Sequence, residues 1–310
     1  MSVAVVVNPR AGGGRMGRLW PRIEAALRAR MGALTVAQTT ATATAIGLAR
    51  AFAADGVGLI VAAGGDGTVS EVVDGIMQGA GHRPDLGIIP VGTGTDLARG
   101  LCIRGEAVAE HIDRLANGGG RRLDIGRIAF RADGGGVAIR HFINIASLGL
   151  SGPTDRAVNA AKQRPGTPGK AVFLWHTIMQ LLRYRLQDVR IAIDDAEPID
   201  ARIAVVAIAN GQFFGGGMMI APDAKPDDGM FDIVIFRGAS KLRLIADLRL
   251  LYGGGHRQHP QVTIARGKTV TVTPLGDPEA NAALLDIDGE SPGSIPARFD
   301  LLPAALLVRC

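Results

Sequence analysis

Aromatic side chains make up only 4% of the 310 residues: nine Phe, two Trp and two Tyr. No basic stretch interleaves them as the stacking surfaces of nucleic-acid binders do, so nucleic acid is not an expected partner. Cysteine is almost missing. Cys102 and Cys310 lie far apart with no metal-like spacing, and a reducing cytosol is the expected setting. No apolar run approaches the roughly 18 residues that a membrane helix needs. The opening segment "MSVAVVVNPR" has no basic stretch before its short apolar run, so no secretory signal is expected. These shortages predict a soluble or peripheral protein.

Glycine, in contrast, is abundant: 43 residues, about twice the usual ~7%. The glycines gather in short loops such as 12–14, 64–67 and 215–217, which suits backbone that turns tightly or approaches a ligand. A formal charge of +5 and a pI near 9.7 favour anionic partners, among them nucleotides and an anionic membrane surface. Up to about residue 124, apolar strands alternate with amphipathic helices, which predicts a parallel sheet covered on both faces. Beyond it, stretches such as "RRLDIGRIAF", "RHFINIASLGL" and "ARIAVVAIANG" read as strands with short turns. Only two long helical patterns interrupt them, near 169–185 and 240–252. The expected organisation is an α/β domain over 1–124 and an antiparallel β-sandwich domain over 125–310, with its last strand returning to the first.

Ligands of parallel sheets bind past the carboxyl ends of the strands, and one segment stands out there. In "VAAGGDGTVSEVVDGI" (61–76) a strand runs into Gly64, Gly65, Asp66 and Gly67 before a helix begins at Thr68. Such a turn presents amides to phosphate oxygens at a helix N-terminus. Asp66 then either holds Mg²⁺ or caps the helix. "PVGTGTDLARG" repeats the arrangement with Asp96, and "LDIGRI" adds Asp124. These three aspartates are expected to converge on one metal shell. "GGGRMG" (12–17) matches G-x-G-x-x-G, but no carboxylate follows at the spacing a ribose contact needs. "GTPGKA" (166–171) fails as a P-loop, with Arg164 upstream and no Ser or Thr after Lys170. The histidines, including His256 and His259, form no metal motif.

In order, "NPRAGGG", "GGDGTVSEVVDGI", "GIIPVGTGTDLARGL", "DIGRI", "ANGQFFGGGMMIAPDAKPDDGMFDIVIF" and "LLDIDGE" make the chain resemble the diacylglycerol kinase catalytic-domain family, which includes sphingosine and ceramide kinases. The resemblance covers nearly the whole chain. It implies a Rossmann-like nucleotide domain of the phosphofructokinase and NAD-kinase kind, then a β-sandwich, with ATP and Mg²⁺ as cofactors and a membrane lipid as acceptor. It further implies that Asn8, Gly65, Asp66, Gly67, Thr68, Gly92 and Thr93 contact ATP. Asp66, Asp96 and Asp124 would hold Mg²⁺ through waters. Asp288 would be the general base, with Glu290 in support. Lys225, Asp228 and Met230 would form a structural Mg²⁺ site. Many bacterial members read Gly-Thr-x-Asn-Asp where this chain has Thr95 before Asp96, a pair similar to that of ceramide kinases.

The expected activity is transfer of the γ-phosphoryl of ATP to diacylglycerol or ceramide at the inner face of the membrane, by a cytoplasmic, peripheral enzyme that a homodimer would accommodate. NAD kinase and a non-catalytic nucleotide-binding regulator are the alternatives. Asp288 also has the simpler reading of a turn residue before Gly289. "GKAVFLWHTIMQLLRYRL" (169–186) either meets a membrane or acyl chain or packs on a sheet.

Overall fold

The computed structural model describes residues 1–41, 44–79, 81–92, 95–103, 107–117, 119–162, 169–238 and 248–310, with backbone only at 161–162, 169–174 and 176. The chain forms two units, Met1–Asp124 with Ala304–Cys310, and Ile125–Pro303.

In the first unit β1 (Val3–Val7), α1 (Ala11–Met31), β2 (Thr35–Gln38), α2 (Thr44–Ala54), β3 (Leu59–Gly64), α3 (Asp66–Gln78), β4 (Asp85–Pro90), α4 (Asp96–Gly100) and α5 (Val108–Asn117) follow one another. β2, β1, β3 and β4 are parallel, in that spatial order. Every residue of β1 and β3 is buried, as expected for strands covered on both faces. On one face Met16, Trp20, Ile23 and Leu27 of α1 pack with Val5, Val7, Val61 and Ala63. Elsewhere α2 and α3 meet closely: a Cβ on Gly75 would stand 2.3 Å from the Ile46 carbonyl oxygen and 2.8 Å from Ala49 Cβ. Arg309 lies buried, donating to Asp85 Oδ2 at 2.7 and 3.0 Å and to the Leu115 carbonyl at 2.7 Å. That ties the returning C-terminal segment to the start of β4, with Val308 level with Leu86 in parallel register.

The second unit is antiparallel. It contains the greater part of β5 (Arg121–Ala132), then β6 (Val137–Phe142), β7 (Ile145–Gly149), α6 (Ser151–Lys162), α7 (Gly169–Arg183), β8 (Gln187–Ile193), β9 (Ile199–Ala209), β10 (Phe213–Phe214), β11 (Met218–Met219), β12 (Phe231–Arg237), β13 (Val262–Gly267), β14 (Thr269–Pro274), β15 (Leu285–Ile287) and β16 (Gly293–Arg309), whose last residues enter the first unit. β9 pairs along one edge with β12; its first half pairs with β8 and its second with β7. This lets the strands divide between layers. Their shared core holds Phe142 stacked on Phe231 at 5.7 Å and edge-on to Phe299 at 6.4 Å.

Three local readings need correction. "RHFINIASLGL" is two strands, β6 and β7, parted at Ile143 and Asn144. The cause lies in the site described below. Helix α6 has no counterpart in the expected pattern, although Ser151 and Pro153 in its first turn are a helix-start signal. Of the helix expected near 240–252, residues 240–247 lie outside the described ones, and Leu248–Tyr252 is a short 3₁₀ turn. Among the described residues no helix is long and apolar enough to cross a membrane.

Candidate active site

The loops after β1, β3 and β4 meet within the first unit. Asn8 N donates to the Ala63 carbonyl at 3.0 Å. Its Nδ2 donates to Thr68 Oγ1 at 3.1 Å, so the end of β1 is fastened to the first turn of α3. Asp66 Oδ2 accepts from the Asp96 amide at 3.0 Å, which joins the starts of α3 and α4. Gly65 and Gly92 cross closely: a Cβ on Gly92 would lie 3.2 Å from Gly65 Cα. Gly12, with φ +60, belongs to the same convergence, its Cβ direction facing Val91 at 3.5 Å. Gly12, Gly13 and Gly14 all have positive φ, a conformation that glycine adopts without steric cost. Asn8, Gly65, Asp66, Gly67, Thr68, Gly92 and Asp96 thus occupy neighbouring strand ends. Thr93 lies outside the described residues.

Asp124 is buried, and its Oδ1 accepts from the Ala304 amide at 2.7 Å. Among the described residues no group of three or more Asp, Glu, His or Cys side chains is placed to ligate one ion directly, which differs from a shell that reaches Mg²⁺ through waters. Asp66 and Asp96, joined through the Asp96 amide, fit Mg²⁺, a hard ion that takes one or two carboxylates and keeps several waters. Asp96 also faces Arg99 at 3.4 Å, which leaves the half-buried Asp66 the more accessible donor.

Thr95, immediately before α4, has φ +49 and ψ +40. A β-branched residue is an outlier there, whereas Asn adopts this region readily. The backbone at Thr95 therefore suits Asn, the residue that the family resemblance leads one to expect there.

In the second unit Asp288 and Gly289 form a tight turn, with φ +49 and +91, closed by paired amide bonds between Ile287 and Glu290. Asp-Gly is the sequence such a hairpin turn prefers. The Asp288 carboxylate reaches back to three amides: Ile143 at 3.0 Å, Asn144 at 3.1 Å and Ile145 at 2.9 Å. Turning these amides toward one carboxylate takes residues 143 and 144 out of the ladders, and so splits the expected strand into β6, paired with β5, and β7, paired with β9 and β15. The three bonds are shared between its two oxygens, Oδ2 accepting from Ile143 and Oδ1 from Asn144 and Ile145, and they fix the orientation of the carboxylate. Glu290 sits two residues on, half-buried.

The turn has supports that the sequence reading missed. Asp286, buried, accepts from the Gly289 amide at 2.8 Å and from Ser147 Oγ at 3.0 Å, and Ser147 lies 2.8 Å from Ser151 Oγ. Asn159 of α6 donates to the Gly289 carbonyl at 2.9 Å. Asn210, fully buried, donates to the Ile143 carbonyl at 2.7 Å, while Asn144 donates to the Phe213 carbonyl at 2.9 Å. The i, i+2 spacing of the two aspartates in "DIDGE" was a usable signal for Asp286, since alternate strand residues share a face.

At "KPDDGM", Asp228 accepts from the Met230 amide at 3.1 Å and closely from Arg266. Arg266 also faces buried Asp232 at 3.6 Å, and burial pushes the Asp232 carboxyl up, with Arg266 opposing. Asp228 thus meets an arginine where the sequence suggested a cation with Lys225 and Met230. Buried His256 lies 2.8 Å from the Ile220 carbonyl, and burial lowers its pKa.

A parallel sheet with glycine-loop carboxylates at its strand ends, followed by an antiparallel sandwich-like unit, is the architecture of the two-domain kinases. The chain matches a yeast NADH kinase with a TM-score of 0.53 at 11% identity, over 99% of this chain and 82% of that one, which shows the fold. A protein from Bacillus anthracis, solved as a candidate diacylglycerol kinase, matches with a TM-score of 0.77 at 25% identity over 99% and 96% of the two chains. Residues 2–128 match the diacylglycerol kinase catalytic domain, and 144–310 the YegS C-terminal NAD kinase beta sandwich-like domain. The diacylglycerol kinase of Staphylococcus epidermidis is 31% identical over 78% of this chain and 70% of its own. That of Bacillus subtilis is 31% identical over 78% and 74%. The chain belongs to the diacylglycerol kinase catalytic-domain family and is a lipid kinase.

Proposed function

We propose that this lipid kinase transfers the γ-phosphoryl of ATP to the free hydroxyl of diacylglycerol. The observation that carries the reading is the pairing of glycine loops with Asp66 and Asp96 at adjacent strand ends. It is supported by Asp288 in the second unit, whose carboxylate three amides hold in one orientation. Phosphoryl transfer asks mainly for positioning and charge stabilisation. Amides of Gly65, Gly67 and Thr68 would face the phosphates, and Asn8 would hold Thr68 in place. Mg²⁺, held by Asp66 with Asp96, would neutralise charge developing between the β- and γ-phosphates. Asp288 would accept the hydrogen bond of the acceptor hydroxyl and, as the phosphoryl departs, its proton. Its three amide partners would hold the carboxylate in one orientation for that contact. The diacylglycerol choice rests on the name shared by the relatives, and Thr95 makes ceramide the comparison acceptor.

The test is transfer from labelled ATP in detergent micelles to diacylglycerol, ceramide and NAD. Asp288→Asn should lower turnover ~10²-fold or more, the usual weight of a general base, with nucleotide affinity within a few-fold. Labelled NAD, or an Asp288→Asn enzyme as fast as wild type, would reject the assignment.

A further inference from the structure

The amides that hold Asp288 are held in turn. A peptide group is planar and trans, with its C=O and N–H pointing opposite ways, so fixing the oxygen fixes the direction of the N–H. The plane between Ile143 and Asn144 presents its N–H to Asp288 Oδ1 at 3.1 Å. Its oxygen, the Ile143 carbonyl, accepts from Asn210 Nδ2 at 2.7 Å. The next plane repeats the arrangement. Its N–H, from Ile145, reaches Asp288 Oδ1 at 2.9 Å, and its oxygen, the Asn144 carbonyl, accepts from the Asn210 and Gly211 amides, both at 2.9 Å. Donors at the oxygens and a carboxylate at the N–H ends align the two dipoles, and bonds in such a chain reinforce one another.

Asn210 lies directly after β9, whose last residue, Ala209, is level with Ile145 of β7. Its side chain is fully buried, where an amide costs free energy unless its polar atoms are paired. An apolar residue would fill that space and leave the Ile143 carbonyl without this donor. Gly211 is confined as well: a Cβ there would stand 2.1 Å from Asn144 Oδ1. The Asn144 side chain is itself fixed, donating to the Phe213 carbonyl at 2.9 Å. Gln212 donates to the Pro222 and Ala224 carbonyls at 3.0 and 3.3 Å. Residues 210–213 therefore form a pinned segment, and it meets the Asp288 carboxylate through the peptides of 143–145.

We propose that Asn210 is a positioning residue for the phosphoryl transfer, fixing the Asp288 carboxylate through the two peptide planes between Ile143 and Ile145. The inference rests on the reading of Asp288 as the group that meets the acceptor hydroxyl. The role asks for no contact between Asn210 and nucleotide or lipid; it sets where the carboxylate stands. Truncating the side chain frees the Ile143 carbonyl, lets the first plane rotate about its flanking dihedrals, and takes an amide away from Oδ1.

The test is a double-mutant cycle, read as kcat for transfer from labelled ATP to diacylglycerol in detergent micelles. Asn210→Ala should lower kcat about tenfold, with the KM for ATP within about twofold. In an Asp288→Asn background the same substitution should lower kcat by less than about twofold, because residues that act through one another are not additive. Circular dichroism establishes that each variant is folded. Gly211→Ala, which pushes the Asn144 side chain aside, should lower kcat by a smaller factor, again with no added loss in the Asp288→Asn background. It carries the test if Asn210→Ala does not fold. Equal fold losses of kcat in the two backgrounds, or full activity of a folded Asn210→Ala enzyme, would overturn the positioning role. An Asp288→Asn enzyme as fast as wild type would instead remove the reading of Asp288 itself. A slow Asp288→Asn enzyme with additive losses would leave that reading standing and reject Asn210.

Discussion

Thr95 holds a β-branched side chain in the left-handed region, at a cost of about 1–2 kcal/mol relative to a residue at ease there. Strain of this kind gathers at functional sites, and Thr95 sits directly before Asp96. Thr95→Asn should therefore raise the melting temperature by ~2 °C or more, measured by calorimetry or circular dichroism. An unchanged or lower value would mean that contacts of the threonine side chain offset the backbone strain. At this scale the aspartates differ in legibility. Asp66 was readable because its glycines flank it in sequence. Nothing local tells that the Asp124 carboxylate accepts from Ala304, 180 residues away. Asp228 likewise meets Arg266 from another strand.

The turn at Asp288 depends on neighbours at the scale of elements. Asp286 holds it from β15, and Ser147 from β7, while Asn159 holds it from α6. Removing the Asp286 carboxylate leaves the Gly289 amide and the Ser147 hydroxyl without that acceptor, and a loosened turn misplaces Asp288. Misplacement of about 1 Å can cost ~10²-fold. Asp286→Ala should thus lower kcat by at least about tenfold with the nucleotide KM unchanged, and Asp286→Asn should retain more activity. A fall in stability with kcat intact would make Asp286 a purely structural residue. The alternating strands and helices of the first unit were legible because each carries its own apolar period. The split between β6 and β7 was not, since the amides of 143–145 turn to a carboxylate far along the chain. Helix α6 was missed because its apolar periodicity is weak, and its polar residues serve the turn it grips.

For the whole molecule, Arg309 closes the first unit with the last residues of the chain. Its guanidinium, buried, binds the part-buried Asp85 and the Leu115 carbonyl. Removing one member of a fully buried pair costs about 3–5 kcal/mol, and the partial exposure of Asp85 places this pair below that range. Arg309→Ala should lower the denaturation midpoint accordingly, and Arg309→Lys by less. A midpoint unchanged by Arg309→Ala would show that the end of β16 is held without this ion pair.

The sequence by itself determined the fold class and the family. Apolar periodicity and glycine-turn chemistry act over a few residues, and the motifs that carry the resemblance are contiguous. It also marked Asp66, Asp96 and Asp288 as candidates, each at a turn that glycine makes. Only the tertiary structure decided which of them share a neighbourhood, because convergence depends on strand order and register. It joined Asp66 to the Asp96 amide, and bound Asp288 to three distant amides. It also turned Trp175 outward from a helix whose other face is buried, a choice that composition alone leaves open because either face is apolar.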